Sequence, residues 1–230
     1  VTGQRVDFSA VEGRASFFFL RHGESEANTR RVMQGRDSSP LTAAGRSQAR
    51  QAGEWLRSKG IDLVLTSPLE RARETAAEIG SVLGLGGVQV AQELTEIDIG
   101  IFTGLTLEQA RDRHPDAHRR FLQQSWEGVE GAERIDALYA RALAAWNVLL
   151  RRAAGGSRAI LAVTHSGFLQ WIIRSTLGLA DWMPLFNASE NCCVSHMLVD
   201  NQPLEGGGRS RYSNWMLVNA AVDSPATGSR

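Results

Sequence analysis

Arg21-His22-Gly23-Glu24 places a permanent cation, an imidazole and a flexible glycine within four positions. An imidazole can attack an electrophile or carry a proton near neutral pH. A guanidinium beside it offers a planar fork for a phosphate or carboxylate. The preceding run, Phe17-Phe18-Phe19-Leu20, is wholly apolar, and the following stretch, Ser25 to Ser39, is largely polar. A short apolar run bounded by turn-forming residues reads as a buried strand. His22 then stands at a strand's carboxyl end, where open α/β sheets place their ligands.

Three further segments share that placement. Thr66-Ser67 follows the apolar run Ile61 to Leu65 and leads into Arg71. Glu93, Glu96 and Asp98 follow a short run, Val88 to Val90. Thr164-His165-Ser166-Gly167 follows Ala159 to Val163. If these strands are parallel, the four segments converge on one rim of the sheet. Two arginines and two histidines aimed at one pocket repel one another unless an anion lies between them. A phosphate monoester, with a charge of about −2 near neutral pH, would relieve that repulsion. A metal held by His22, His165 and Glu96 is the competing chemistry, but the arginines would oppose a cation, so no metal is expected. Singly, each residue has an ordinary explanation: a strand-end histidine, a surface arginine, a solvated acid, a helix cap. Only their convergence argues for chemistry. His114 and His118 lie among arginines and read as surface residues, and His196 as a strand histidine.

The elements that must position these groups alternate. A helix is predicted from Thr42 to about Gly60, with Ala49, Ala52, Trp55 and Leu56 at helical spacing. Ser67-Pro68-Leu69-Glu70 reads as a capped helix start, with Glu70 completing a capping box. That helix runs to about Gly84. Residues 105–153 show two or three helices and no strand, and read as a helical insert over the sheet. Its last helix carries the stripe Ile135, Leu138, Tyr139, Ala142, Trp146 and Leu149. Another helix spans about 167–177, and residues 193–199 and 213–218 suggest two closing strands. Residues 1–15 read as a loose extension, and 221–230 as a disordered tail. Alternating strands and helices argue an α/β class with a mainly parallel sheet and helices on both faces. Residues 1–220 are expected to form a single domain.

Composition narrows the partners. The 230 residues hold 25 Lys+Arg and 25 Asp+Glu, so no global basic field points to nucleic acid or an anionic membrane. Any anion site must be local. Hydrophobic residues make up 43%, enough for a sizeable core. No apolar run is long enough for a membrane span, and no signal peptide is read at the start. Cys192 and Cys193 are adjacent, which ordinary disulfide geometry disfavours, and they read as two semi-buried strand thiols. Low cysteine use and the lack of a leader lead to the expectation of a cytoplasmic protein.

The blocks also resemble a known family. Phe19 to Ser25 with Asn28, Gln34-Gly35-Arg36-Asp37 and Pro40-Leu41-Thr42-Gly45, then Thr66 to Ala76, Leu94 to Gly100 with Gly104, and Val163 to Gly167 are similar to the histidine phosphatase, or phosphoglycerate-mutase-like, superfamily. The resemblance spans about 19–170. It implies a three-layer α/β/α sandwich with a helical cap insert at about 105–153. It implies that His22 is the nucleophile and that Arg21, Arg71 and a protonated His165 grip the phosphoryl group. Asn28, Gln34 and Gly35 fall at substrate-binding positions, and Glu96, rather than Glu93, at the acid/base. It implies no cofactor, with a small phosphomonoester or inorganic phosphate as the ligand. Gly131-Ala132-Glu133 departs from the family's Gly-Glu-Ser turn, which weakens any role for Glu133, and Ser166 stands where glycine is frequent. The mutase branch carries an extended basic segment between the third and fourth blocks. Arg111, Arg113, Arg119 and Arg120 do not resemble it, and Gln34-Gly35 looks more like the phosphatase branch. The expected activity is phosphomonoester hydrolysis through phosphohistidine. The alternatives are a cofactor-dependent phosphoglycerate mutase and a non-catalytic phospholigand-binding module. Trp126, Trp182, Met183 and Phe186 could wall an apolar entrance or simply pack the cap.

Overall fold

The computed structural model describes residues 3–181 and 190–222. The expected Trp182, Met183 and Phe186 therefore lie outside the described residues, as do 223–230 of the tail. Among the described residues six strands form one sheet in the order β3-β2-β4-β1-β5-β6. They are β1 Gly13–Arg21, β2 Leu63–Thr66, β3 Val88–Val90, β4 Ala159–Thr164, β5 Val194–Asn201 and β6 Tyr212–Ala220. The first four run parallel, and β5 and β6 are antiparallel additions. The chain is thus the expected α/β fold. Among the described residues no helix is long and apolar enough to cross a membrane.

The apolar run at 17–20 has a physical reason. Successive side chains point to opposite faces of a strand, and here both faces are covered. Phe17 and Phe19 pack with α6 (Ile135–Ala154) and α7 (Ser166–Leu177) on one face. Phe18 and Leu20 pack with α2 (Ala43–Leu56) and α3 (Glu70–Leu83) on the other. Trp146 of α6 is fully buried against the edges of Phe8, Phe17 and Phe19. Its indole N–H donates to the Ile172 carbonyl at 3.0 Å.

Three expectations are corrected. First, α6 is a layer of the sandwich and not part of the insert. Its stripe of Leu138, Ala142, Ala145, Trp146 and Leu149 closes the sheet's core. The separate cap is α4 (Leu107–Arg113), α5 (Pro115–Gln124) and the turn Ser125–Gly128, which bury their own cluster around Phe102, Phe121 and Trp126. Second, residues 3–15 are not loose: Phe8 packs on Trp146, Val11 is buried, and the Val6 N–H donates to the Ser175 carbonyl. Val222, placed in the tail by sequence, packs against the second core cluster. Third, α3 begins at Glu70 with Leu69 at its N-cap and no side-chain cap bond. The Ser67 hydroxyl accepts from the Leu69 N–H at 3.3 Å, one residue ahead of the helix, and meets His165, while Glu70 accepts from the Ser38 hydroxyl.

His196 of β5 stacks on Phe18 at 4.1 Å between ring centroids. Burial, with a smaller push from Lys59, lowers its pKa to about 4. Below an ordinary histidine pKa of about 6.5 the unfolded chain takes up a proton there that the folded chain refuses, so folding stability falls as pH drops through that window. His196→Phe is expected to flatten the decline of the urea unfolding midpoint between about pH 7 and pH 5. An equal decline in both proteins would contradict this.

Candidate active site

Register brings the predicted segments together. Arg21 of β1 lies opposite Thr164 of β4, and Thr66 of β2 opposite Val163. The His22 N–H donates to the Thr164 carbonyl at 3.0 Å, and the Ser67 N–H to the Val163 carbonyl at 2.9 Å. The chain ends of β1, β2 and β4 are thus tied at one rim. The rings of His22 and His165 lie 5.2 Å apart there, and both are buried.

His22 Nδ1 sits 2.7 Å from the Gly23 carbonyl. A carbonyl only accepts, so Nδ1 carries the hydrogen and Nε2 the lone pair. Burial pushes the His22 pKa well down, and the charges of Arg71 and Arg21 push the same way. The ring is a neutral base with its tautomer fixed. His165 is also held well below the ordinary value, by burial first and then by Arg71, His22, Arg21 and Arg141. Burial and the surrounding cations therefore favour its neutral form. Its Nε2 meets the Ser67 hydroxyl at 2.7 Å, and its buried Nδ1 has no partner among the described residues.

Arg71 is 1% exposed. Its guanidinium donates to the carbonyls of Asp37 at 2.8 Å and Gly35 at 2.7 Å. Burial lowers its pKa to about 10, with Glu96 opposing and Arg21 adding to the fall, so it stays cationic at neutral pH. Arg21 is lowered by burial and supported by the charge of Glu96. Behind it, the Arg21 N–H donates to the Cys193 carbonyl and the Cys192 N–H to the Arg21 carbonyl. The two cysteines are buried in the turn before β5 and not in a strand. Glu96 reaches the rim from the loop after β3. Its carboxylate accepts from the N–H groups of Ile97 and Phe168 at 2.9 Å and of Gly167 at 3.2 Å, at the start of α7. Among the described residues no group of three or more His, Cys, Asp and Glu could hold a metal.

The polar loop supplies the remaining expected residues. Ser25 caps α1 (Glu26–Thr29) in a box with Asn28, whose Oδ1 accepts from the Ser25 N–H. Asn28 can therefore offer a ligand its amide N–H groups. Gln34 is buried, with its Oε1 3.1 Å from the Ser25 hydroxyl. Gly35 adopts φ +49°, and a Cβ there would meet Ile99 at 2.7 Å. Two contributors were missed by sequence reasoning. Ser67, read as a helix cap, supports His165. Asn191 donates to the His22 carbonyl at 2.9 Å from 169 residues away, and nothing in the linear text marks it.

Two arginines, two neutral imidazoles and one carboxylate thus line a largely desolvated rim whose deficit is negative charge. Such a charge pattern suits an anion with several acceptor oxygens. Residues 17–205 match the family model of the histidine phosphatase superfamily (branch 1). The chain belongs to that family of enzymes. It is similar to the protein named Probable phosphoglycerate mutase GpmB from Salmonella paratyphi B, 32% identical over 91% of this chain and 95% of the relative. Among solved structures, Mycobacterial hydrolase 1 shares 25% identity with a TM-score of 0.76 over 90% of this chain and 99% of that one. Mycobacterial glucosyl-3-phosphoglycerate phosphatase, solved with VO3, shares 27% identity with a TM-score of 0.73 over the same shares.

Gly35→Ala is expected to weaken vanadate binding by about tenfold or more with the fold retained, because it displaces the carbonyl that holds Arg71. Titration of vanadate against the variant checks this; unchanged affinity would contradict it.

Proposed function

We propose that the protein is a phosphomonoester hydrolase that works through a phosphohistidine at His22 on a small phosphorylated metabolite. The observation that carries this reading is the His22 ring itself: neutral under burial and the charges of Arg71 and Arg21, its tautomer fixed by Gly23, and its centroid 5.2 Å from that of His165. In the first step the Nε2 lone pair forms a bond to phosphorus while the bond to the leaving oxygen breaks. Arg21 and Arg71 hold the equatorial oxygens as charge spreads over them. His165 joins them, taking a proton as the dianion enters. Glu96, having taken up a proton as the substrate dianion enters, gives it to the departing alkoxide. In the second step Glu96 takes a proton from water as the water oxygen bonds to phosphorus. The P–N bond breaks, its electron pair returns to His22, and inorganic phosphate leaves. The similarity to a phosphatase solved with VO3, and again with inorganic phosphate, supports a small phosphorylated ligand.

The similarity to a relative named as a phosphoglycerate mutase favours a second reading. The cap argues against it. Arg111 pairs with Asp112 and Glu108, and Arg119 with Asp116, on their own helices at exposed positions. They do not form a free basic lid that would retain a bisphosphate and exclude water.

Nitrophenyl phosphate should be hydrolysed without added bisphosphoglycerate and inhibited by vanadate. A requirement for bisphosphoglycerate would favour the mutase, and binding without turnover a non-catalytic module. His22→Ala should lower kcat by at least about a thousandfold while circular dichroism stays unchanged. Retention of a few per cent of wild-type turnover would refute the nucleophile. Glu96→Gln should reduce kcat about a hundredfold for alkyl phosphates and only a few-fold for nitrophenyl phosphate, whose leaving group needs no acid. Equal losses would refute the acid. A panel of sugar, nucleotide, glycerate and aryl phosphates then ranks substrates.

A further inference from the structure

We propose that Arg141 and Glu133 are positioning residues that set the place of Glu96 in the pocket, an inference that rests on the general-acid reading of Glu96. Neither residue belongs to the four segments that form the pocket. Arg141 stands on α6 and is largely buried. A guanidinium has five N–H donors in a fixed plane, and all five are engaged here. Nη1 donates to the carbonyls of Glu93 at 3.1 Å and Thr95 at 2.5 Å. Nη2 donates to the Glu96 carbonyl at 3.5 Å, the longest of the set, and to Glu133 Oε2 at 2.8 Å. Nε donates to Glu133 Oε1 at 2.8 Å. Three of the five acceptors are thus backbone carbonyls of the loop that ends at Glu96.

The plane of Arg141 reaches the other end of the acid as well. Its central carbon lies 3.9 Å from the centroid of the Phe168 ring. The Phe168 N–H is one of the three that hold the Glu96 carboxylate. The next donor along, the Gly167 N–H, belongs to a residue where a Cβ would approach Glu96 Oε1 to 2.8 Å. One guanidinium therefore bonds the Glu96 carbonyl and lies on the ring of a residue whose N–H holds the Glu96 carboxylate.

Glu133 fixes the guanidinium in turn. It accepts two bonds from Arg141 and one at 2.8 Å from Arg36, whose Nε donates to the Glu96 carbonyl at 3.3 Å. The Glu133 N–H donates to the Asp98 carbonyl at 2.9 Å, closing the far side of the loop. A largely buried ion pair contributes little net stability against an apolar replacement. What this pair supplies is direction: five bonds that a lysine, with three donors on a swivelling ammonium, cannot reproduce. The glutamate that the sequence devalued, for standing in an altered turn, is the hub of this arrangement.

The test compares Arg141→Lys, Glu133→Gln and Glu96→Gln, with the Glu96→Gln/Arg141→Lys double variant, on an alkyl phosphate and on nitrophenyl phosphate. Arg141→Lys and Glu133→Gln should lower kcat on the alkyl phosphate by about tenfold or more, and on nitrophenyl phosphate by less than about threefold, with KM little changed. The double variant should lose no more on the alkyl phosphate than Glu96→Gln alone, because both act through one group. Equal losses on both substrates, or losses that multiply in the double variant, would overturn the proposal and leave Glu96 as the acid. Glu133→Gln keeps shape and provides the reading should Arg141→Lys fail to fold. If Glu96→Gln alone shows no dependence on the leaving group, the acid assignment falls and this inference with it.

Discussion

Arg71 is a cation almost wholly withdrawn from water, and the rest of the site depends on how that charge is accommodated. Burying an isolated charge is strongly unfavourable. Here it is compensated by two carbonyls of the Gln34–Asp37 loop and, at longer range, by the carboxylate of Glu96. The same bonds draw that loop over the sheet rim. The residual positive potential of Arg71 and Arg21, added to burial, keeps His22 and His165 unprotonated. One buried charge thus shapes a loop, helps burial to lower two histidine pKa values and leaves a local excess of positive charge.

The sheet makes this arrangement possible because parallel strands bring distant segments of chain to a common end. Residues 22, 67, 96 and 165 arrive at one rim: backbone bonds tie His22 and Ser67 to the end of β4, and the Glu96 carboxylate accepts from the N–H groups that follow His165. The two packed faces hold those strands rigidly, with Trp146 filling one face under Phe17 and Phe19. The geometry of the groups at the rim is therefore inherited from core packing, and α6 contributes twice. Its apolar stripe closes the sandwich and its Arg141 reaches across to the acid loop.

Much of this was legible in the chain. The run at Phe17–Leu20 announced a strand covered on both sides, and the chemistry-bearing residues follow strand ends, so His22, Arg71, Glu96 and His165 could be grouped before any contact was known. What escaped has a common physical cause. Ser67 carries a helix-start pattern, yet its hydroxyl meets an imidazole 98 residues away. Asn191 and Glu133 act through partners whose proximity no local pattern encodes. The stripe on α6 was visible, but periodicity gives the width of an apolar face and not the surface that receives it. That helix was placed in the cap when it belongs to the sandwich. The lowered pKa of His165 was not legible either, since burial is a property of the fold and outweighs the residue's intrinsic pKa.

The central claim is that a phosphoryl group passes through His22, and trapping that species tests it most directly. Enzyme quenched during turnover of labelled nitrophenyl phosphate, then digested and mapped, should yield an acid-labile, base-stable phosphoramidate on the peptide that contains His22. A phosphorylated peptide from elsewhere in the chain, or steady turnover with no label at His22 at any quench time, would contradict the account.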